Sequence, residues 1–359
     1  MAEVLINGYF HCRADINGIE RYAHEITKRL DLLCVPGEIA LLIPRDAAPP
    51  PYKNIEVIRY GKTGRHLLWQ LCTTQFFLLT RGRRYTVLEF GNVCLPLAPG
   101  IVFLHDIYCK MFPEDFTTPR DKLARLYNCW QYRLIARRAK RIVTVSYFSR
   151  NQIARTYHVN PENISVIYSS WFHFKTIEPD YSIVRQFPVL SKPFFFSLGS
   201  LSKRKNIRWI IEYALKHPDD LFALSGNVAP TSKAEGLSAG KPPNVLLLGY
   251  LDDSKVKALM ETCKAFILPS YYEGFGLTPL EALSCGAQII VADAASLPEI
   301  YGKTAHYIDP YAIDVDLEEL LYQPVEKPDD ILAKYSYDTA AEQVYALIKE
   351  HLSLSKRPV

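Results

Sequence analysis

Glu273 and Glu281 stand eight positions apart, one ahead of a glycine-bearing turn and one in the first turn of an expected helix. A carboxylate accepts hydrogen bonds from vicinal hydroxyls, so two of them flanking a phosphate-sized turn suit a sugar nucleotide. Between them lie Gly274, Phe275, Gly276 and Leu277. The glycines let the backbone approach a ligand closely, and a helix N-terminus behind them offers free N–H groups and the positive end of a dipole. Upstream, Arg204 and Lys205 stand just before a second expected helix, after the turn at Gly199. Two cations there suit a diphosphate leaving group, whose charge grows as a glycosidic bond breaks. His105 closes a buried run, Ile101–Leu104, with Asp106 beside it to orient the imidazole or to cap the loop.

These residues need elements to hold them. The apolar run Ala265–Leu268 reads as a buried strand closed by Pro269. A helix follows with Thr278 at its N-cap, Pro279 at the first helical position and Glu281 placed for a capping box. Gly286 stops that helix and Gln288–Ala292 resumes as a strand, which makes a βαβ unit. Further strands are expected at Val4–Asn7, Ile39–Leu42, Ile55–Ile58, Thr86–Phe90, Ile101–Leu104, Arg141–Val145, Phe194–Leu198, Leu221–Ser225 and Val245–Leu248. Helices are expected near Ile19–Leu33, Leu67–Leu79, Asp121–Arg138, Phe148–Tyr157 and Asp338–Leu352. Strands alternating with helices predict an α/β fold of parallel, doubly wound sheets, with ligands at the carboxyl ends of the strands. Ser146 reads as a helix cap, and Asp316 caps LEELL better than it pairs with Asp314 on a metal.

The stretch EGFGLTPLEAL, with its Glu-x7-Glu spacing, resembles the signature of glycosyltransferase family 4. NGIERYAHEI resembles that family's first loop and helix, and VTVSYFSR its crevice-lining strand with serine. Lys205 matches the family's lysine after the glycine. Ser200 stands where the family carries arginine, with Arg204 close by, and Ser169-Ser170 stands where relatives carry Asn-Gly. The resemblance implies the GT-B fold, two Rossmann-like domains facing an interdomain cleft. Its expected parts are an acceptor domain over 1–175, a linker near 175–192, a nucleotide-sugar domain over 190–337, and a helix over 338–359 returning to the first domain. It implies a retaining transfer of mannose, rhamnose, glucose or galactose to a growing cell-surface glycan carried on a lipid. Gly18 would lie against the donor phosphates or acceptor, Gly199, Ser200 and the 274–277 turn against the donor, and Gly249 with Tyr250 beside the base. Arg204 and Lys205 would hold the diphosphate, Glu273 the sugar hydroxyls, Glu281 the ribose, and His105 the sugar near its reacting carbon. No cofactor and no essential metal are expected. A sugar-nucleotide epimerase and a non-catalytic nucleotide- or glycan-binding subunit are the alternative readings.

Composition agrees with this class. The 359 residues suffice for two domains, and 48% hydrophobic with 22% charged residues is globular. The net charge of +4 is uneven, because residues 1–175 hold 24 Lys and Arg against 14 Asp and Glu. A basic half invites an anionic surface, but no recognition motif for nucleic acid accompanies it. In His66–Arg84, Trp69, Phe76 and Phe77 beside Arg81, Arg83 and Arg84 read as a core helix with a basic end, with an anionic membrane surface as a second use. No run reaches about 18 uninterrupted apolar residues, and the N-terminus reads as a first strand rather than a signal peptide. Eight scattered cysteines without a CxxC pair fit free thiols in a reducing, cytoplasmic compartment.

Overall fold

Short runs of aliphatic and aromatic residues form two all-parallel sheets whose central strands are buried on both faces, as expected where helices cover each side. The structure, a computed structural model, describes residues 3–13, 17–64, 66–81, 85–199, 202–226 and 242–355. They fall into two compact units, one of residues 1–169 with 337–359, the other of residues 170–336.

The first unit has strands β1 (Val4–Asn7), β2 (Ile39–Ile43), β3 (Glu56–Arg59), β4 (Thr86–Glu89), β5 (Ile101–Phe103), β6 (Arg141–Thr144) and β7 (Ile164–Val166) in the order β3-β2-β1-β4-β5-β6-β7. Asn17 caps the helix Gly18–Leu33, accepting from the amides of Ile19 and Glu20, while the Glu20 carboxylate accepts in return from the Asn17 amide. That helix buries Tyr22, Ala23, Ile26 and Leu30 in one core with Tyr337, Ala340, Ala341, Val344 and Ile348 of the helix Tyr337–Ser355. An ion pair of 2.5 Å between Arg29 and Asp338 joins the two helices.

The second unit has β8 (Phe195–Leu198), β9 (Phe222–Ser225), β10 (Val245–Gly249), β11 (Ala265–Leu268), β12 (Gln288–Ala292) and β13 (His306–Ile308) in the order β10-β9-β8-β11-β12-β13. The segment expected as a linker, 175–192, belongs to this unit. Phe174, Ile183 and Leu190 are buried, and the Lys257 ammonium donates to the carbonyls of Phe174 at 3.2 Å and Ile177 at 2.7 Å. A polar, aperiodic segment is thus tied down by side-chain bonds to its carbonyls that composition does not reveal.

Two strands escape the sequence reading. β7 and β13 have three residues each and lie at sheet edges, too short for a hydrophobic pattern. The stretch expected as a helix over Leu67–Leu79 contains a π-helical segment, Trp69–Thr73, flanked by the helical segments His66–Leu68 and Thr74–Thr80. Trp69 and Phe77 are buried in the core and only Phe76 is exposed, so two of the three aromatics considered for a membrane surface face inward. Arg83 and Arg84 lie outside the described residues. Among the described residues no helix is long and apolar enough to cross a membrane. All eight cysteines are free thiols.

Candidate active site

In the second sheet the strand order reverses between β8 and β11, and in open parallel sheets the carboxyl ends of such a pair form the ligand crevice. The chain leaves β8 through Gly199 and returns as a short 3-10 turn, Lys203–Lys205. It leaves β11 into the loop that carries Glu273. The two loops meet there. The Glu273 carboxylate accepts from the Lys205 ammonium at 2.8 Å through Oε1 and from the Arg204 guanidinium at 3.2 Å through Oε2. Main-chain bonds fix the frame, since Tyr271 N–H donates to the Arg204 carbonyl at 3.2 Å and the Ser296 hydroxyl to the Glu273 carbonyl at 3.0 Å. Asn206 ends the turn in the left-handed region, its amide donating to the Pro269 carbonyl at 3.1 Å. Burial raises the Glu273 pKa, but the Lys205 and Arg204 charges outweigh it and hold the carboxyl below its ordinary value. The result is a buried anion between two cations, one positive charge in excess.

Gly199 has φ 156°, a conformation that side chains rarely adopt, and a Cβ there would stand 3.2 Å from Cε of Lys205, so the lysine stem would have to give by a few tenths of an ångström. The structure thus brings Arg204, Lys205, Glu273 and Gly199, each expected at the donor site, to one place, and the pairing of Glu273 with both cations was not foreseen; Ser200 lies outside the described residues.

The turn after Glu273 differs from expectation in one respect. Thr278 does not cap the helix; Gly276 does, at φ 82°, and the helix runs Leu277–Ser284. An N-cap in the left-handed region is open to glycine and strained for threonine, so the helix begins before Thr278 and leaves its hydroxyl buried without a partner. The capping box with Glu281 is therefore absent. Glu281 is instead buried and pairs with His173, whose Nε2 lies 3.0 Å from Oε1. The sequence reading missed His173, which belongs to a stretch without periodicity and carries no motif. Gly274 and Phe275 are buried within the turn, and Leu277 is half-buried at the helix start. Gly286 ends the helix as expected, at φ 83°. At the end of β10, Gly249 accepts at its carbonyl from Gly226 N–H at 2.9 Å and from the Ser225 hydroxyl at 3.0 Å. Tyr250 beside it is 69% exposed and free to stack on a ligand ring.

His105 belongs to the first unit. Its Nε2 faces the Phe90 carbonyl at 2.8 Å, and because a carbonyl only accepts, that nitrogen carries the proton. Its ring packs near Tyr22 and Phe103, and burial pushes its pKa down, so the imidazole is neutral. Asp106 does not carry the ring; it caps the loop, accepting from Tyr108 N–H at 2.9 Å. Ser146 caps the helix Tyr147–Tyr157, and Asp316 caps Leu317–Tyr322. A Cβ on Gly18 would meet nothing within 4 Å, so the fold itself does not demand glycine at this helix start.

This is the two-domain α/β GT-B fold. The structure aligns with sucrose-phosphate synthase from Thermosynechococcus elongatus at a TM-score of 0.72 and 16% identity, over 98% of this chain and 99% of that one. HepE from Anabaena, crystallised with UDP and glucose, aligns at 0.69 and 17% identity, over 98% and 100%. Two sequence families match as well, Glycosyltransferase Family 4 over residues 16–170 and Glycosyl transferases group 1 over residues 183–335. The chain belongs to the group 1, family 4 glycosyltransferases and is an enzyme of that class. Among its relatives, O-antigen chain mannosyltransferase B of Escherichia coli is 26% identical over 329 residues, 83% of this chain and 84% of that protein. O-antigen chain mannosyltransferase RfbU of Salmonella typhimurium is 25% identical over 298 residues, 78% of each.

Proposed function

We propose that the enzyme transfers a hexose or deoxyhexose, with mannose favoured by its relatives, from a nucleoside-diphosphate sugar to a growing lipid-linked glycan of a cell-surface polysaccharide. The observation that carries this reading is the Glu273 carboxylate held by Lys205 and Arg204 at the strand ends where the second sheet reverses. In the proposed roles, Lys205 and Arg204 hold the diphosphate and neutralise the charge that grows on it as the sugar leaves. Glu273, freed in part as the cations turn to phosphate, accepts from sugar hydroxyls. Glu281, fixed by His173, accepts from the ribose diol, and Tyr250 stacks on the base.

Transfer with retention then needs no protein nucleophile. The departing diphosphate oxygen takes the proton of the acceptor hydroxyl on the same face, and the protein supplies position and charge. Two cations already answer the leaving charge, so we infer that no metal is required.

A thermal-shift panel of nucleoside diphosphates and their sugars, with and without EDTA, tests the reading. One nucleotide family should raise the melting temperature by several degrees at saturating concentration, unchanged by EDTA. A shift abolished by EDTA would contradict metal independence, and no shift with any nucleotide would contradict the donor site.

A further inference from the structure

A second buried carboxylate lies in the first unit, and the donor chemistry makes no use of it. Glu89 ends β4, and the first sheet reverses its strand order between β4 and β1. The carboxyl ends of that pair form the equivalent crevice. A cavity of about 140 Å³ opens there, with Glu89, Asn7, Gln70, Arg13 and Glu20 in its wall.

The hydrogen bonds around Glu89 are directional. The Trp69 indole N–H can only donate, and it donates to Asn7 Oδ1 at 2.9 Å. This fixes the Asn7 amide, whose Nδ2 then donates to Glu89 Oε2 at 2.7 Å. Gly91 N–H donates to Oε1 at 3.3 Å. A carboxylate has about four acceptor sites, so about two remain for the cavity. Arg13 and Glu20 pair with each other, and among the described residues no cation pairs with Glu89 in this wall. Burial pushes its pKa up to about 7, against the opposing bonds from Asn7 and Gly91. The other titratable groups around it are Tyr9, Tyr127 and Cys94, all pushed upward by burial, Cys94 to about 11.

Such a group weakens the fold at neutral pH. A carboxyl whose folded pKa lies above its unfolded value of 4.5 contributes stability below that value, and loses it as pH rises toward about 7. A neutral side chain of the same shape would carry no such penalty.

We propose that this cavity is a sugar subsite in which Glu89, oriented by the Trp69–Asn7 relay, accepts hydrogen bonds from the hydroxyls of one pyranose ring of the acceptor. The proposal rests on the acceptor being a glycan. Its test is Glu89→Gln, which keeps the shape and the bond from Asn7 but gives up the long bond from Gly91 N–H and turns an NH2 group toward the ligand, with Glu89→Ala as a second variant. The probe is methyl α-D-mannopyranoside, followed by saturation-transfer NMR in the presence of the nucleotide that shifts the melting temperature. The wild type should show transfer, and both variants should weaken binding about tenfold, the worth of one hydrogen bond to a charged group. The nucleotide-induced shift should persist in all three proteins, and its absence from the wild type would count against the donor site alone. Equal transfer in wild type and variants, or none in the wild type, overturns the subsite. Melting curves separate binding from structure. Between pH 5 and 8 the wild type should lose more melting temperature than Glu89→Gln, and a Gln variant less stable than the wild type at pH 8 would mark a purely structural carboxyl.

Discussion

Replacing Lys205 by alanine is expected to lower kcat by about 10²–10³-fold while the protein stays folded, the usual effect of removing one group that meets charge developing in a transition state. The ammonium stands 2.8 Å from Glu273, and its stem lies along Gly199, so a single residue ties the loop after β8 to the loop after β11. Arg204 remains paired with Glu273 in the variant, which spares the buried carboxylate the full cost of losing its partners. The effect should therefore fall on turnover more than on stability. Initial rates against donor concentration, with a melting curve on the same sample, separate the two. A variant with wild-type kcat would show that the lysine is a structural cation only.

Gly276→Ala is expected to destabilise the second unit by roughly 3 kcal/mol. Part of this, about 1–2 kcal/mol, comes from placing a Cβ in the left-handed region. The rest comes from space, because the new Cβ would stand 2.5 Å from Cδ2 of Leu297, which is fully buried and cannot swing aside without cost. The Gly276 carbonyl also accepts from the buried Tyr301 hydroxyl, so a shift of this turn disturbs the loop from both sides. Urea unfolding should show a lower midpoint, and nucleotide binding should weaken with it as the helix N-terminus moves. An unchanged midpoint would mean that the turn relaxes far more easily than its packing implies.

Much of this was readable from residue order. The βαβ unit around Glu273 announced itself because a buried strand, two glycines, a proline in the first turn and a helix-stopping glycine all agree locally. Lys205 and Arg204 were singled out by their place after a strand and glycine, but their pairing with Glu273 was not legible in the sequence. What was not readable depends on long-range packing. Thr278 is a good cap by type, yet the conformation of Gly276 decided where the helix began. His173 meets Glu281 across more than a hundred residues of chain, and nothing in its neighbourhood hints at that. Glu89 lay unremarked inside the expected strand Thr86–Phe90. Its meaning appears only once β4 lies beside β1 and Asn7 is turned by Trp69. The boundary between the units was misplaced for the same reason, because the bonds from Lys257 that hold residues 174–177 leave no trace in composition.

The most direct test of the account is isothermal titration of UDP and GDP into the wild type, Lys205→Ala and Glu273→Gln. The account predicts that one of the two nucleotides binds the wild type and binds Lys205→Ala about tenfold or more weakly, as for a lost charge-assisted hydrogen bond. Glu273→Gln should keep or improve that affinity, because removing the carboxylate frees both cations for phosphate. Equal affinity in the wild type and Lys205→Ala, or a large loss in Glu273→Gln, would place the diphosphate elsewhere and contradict the central claim.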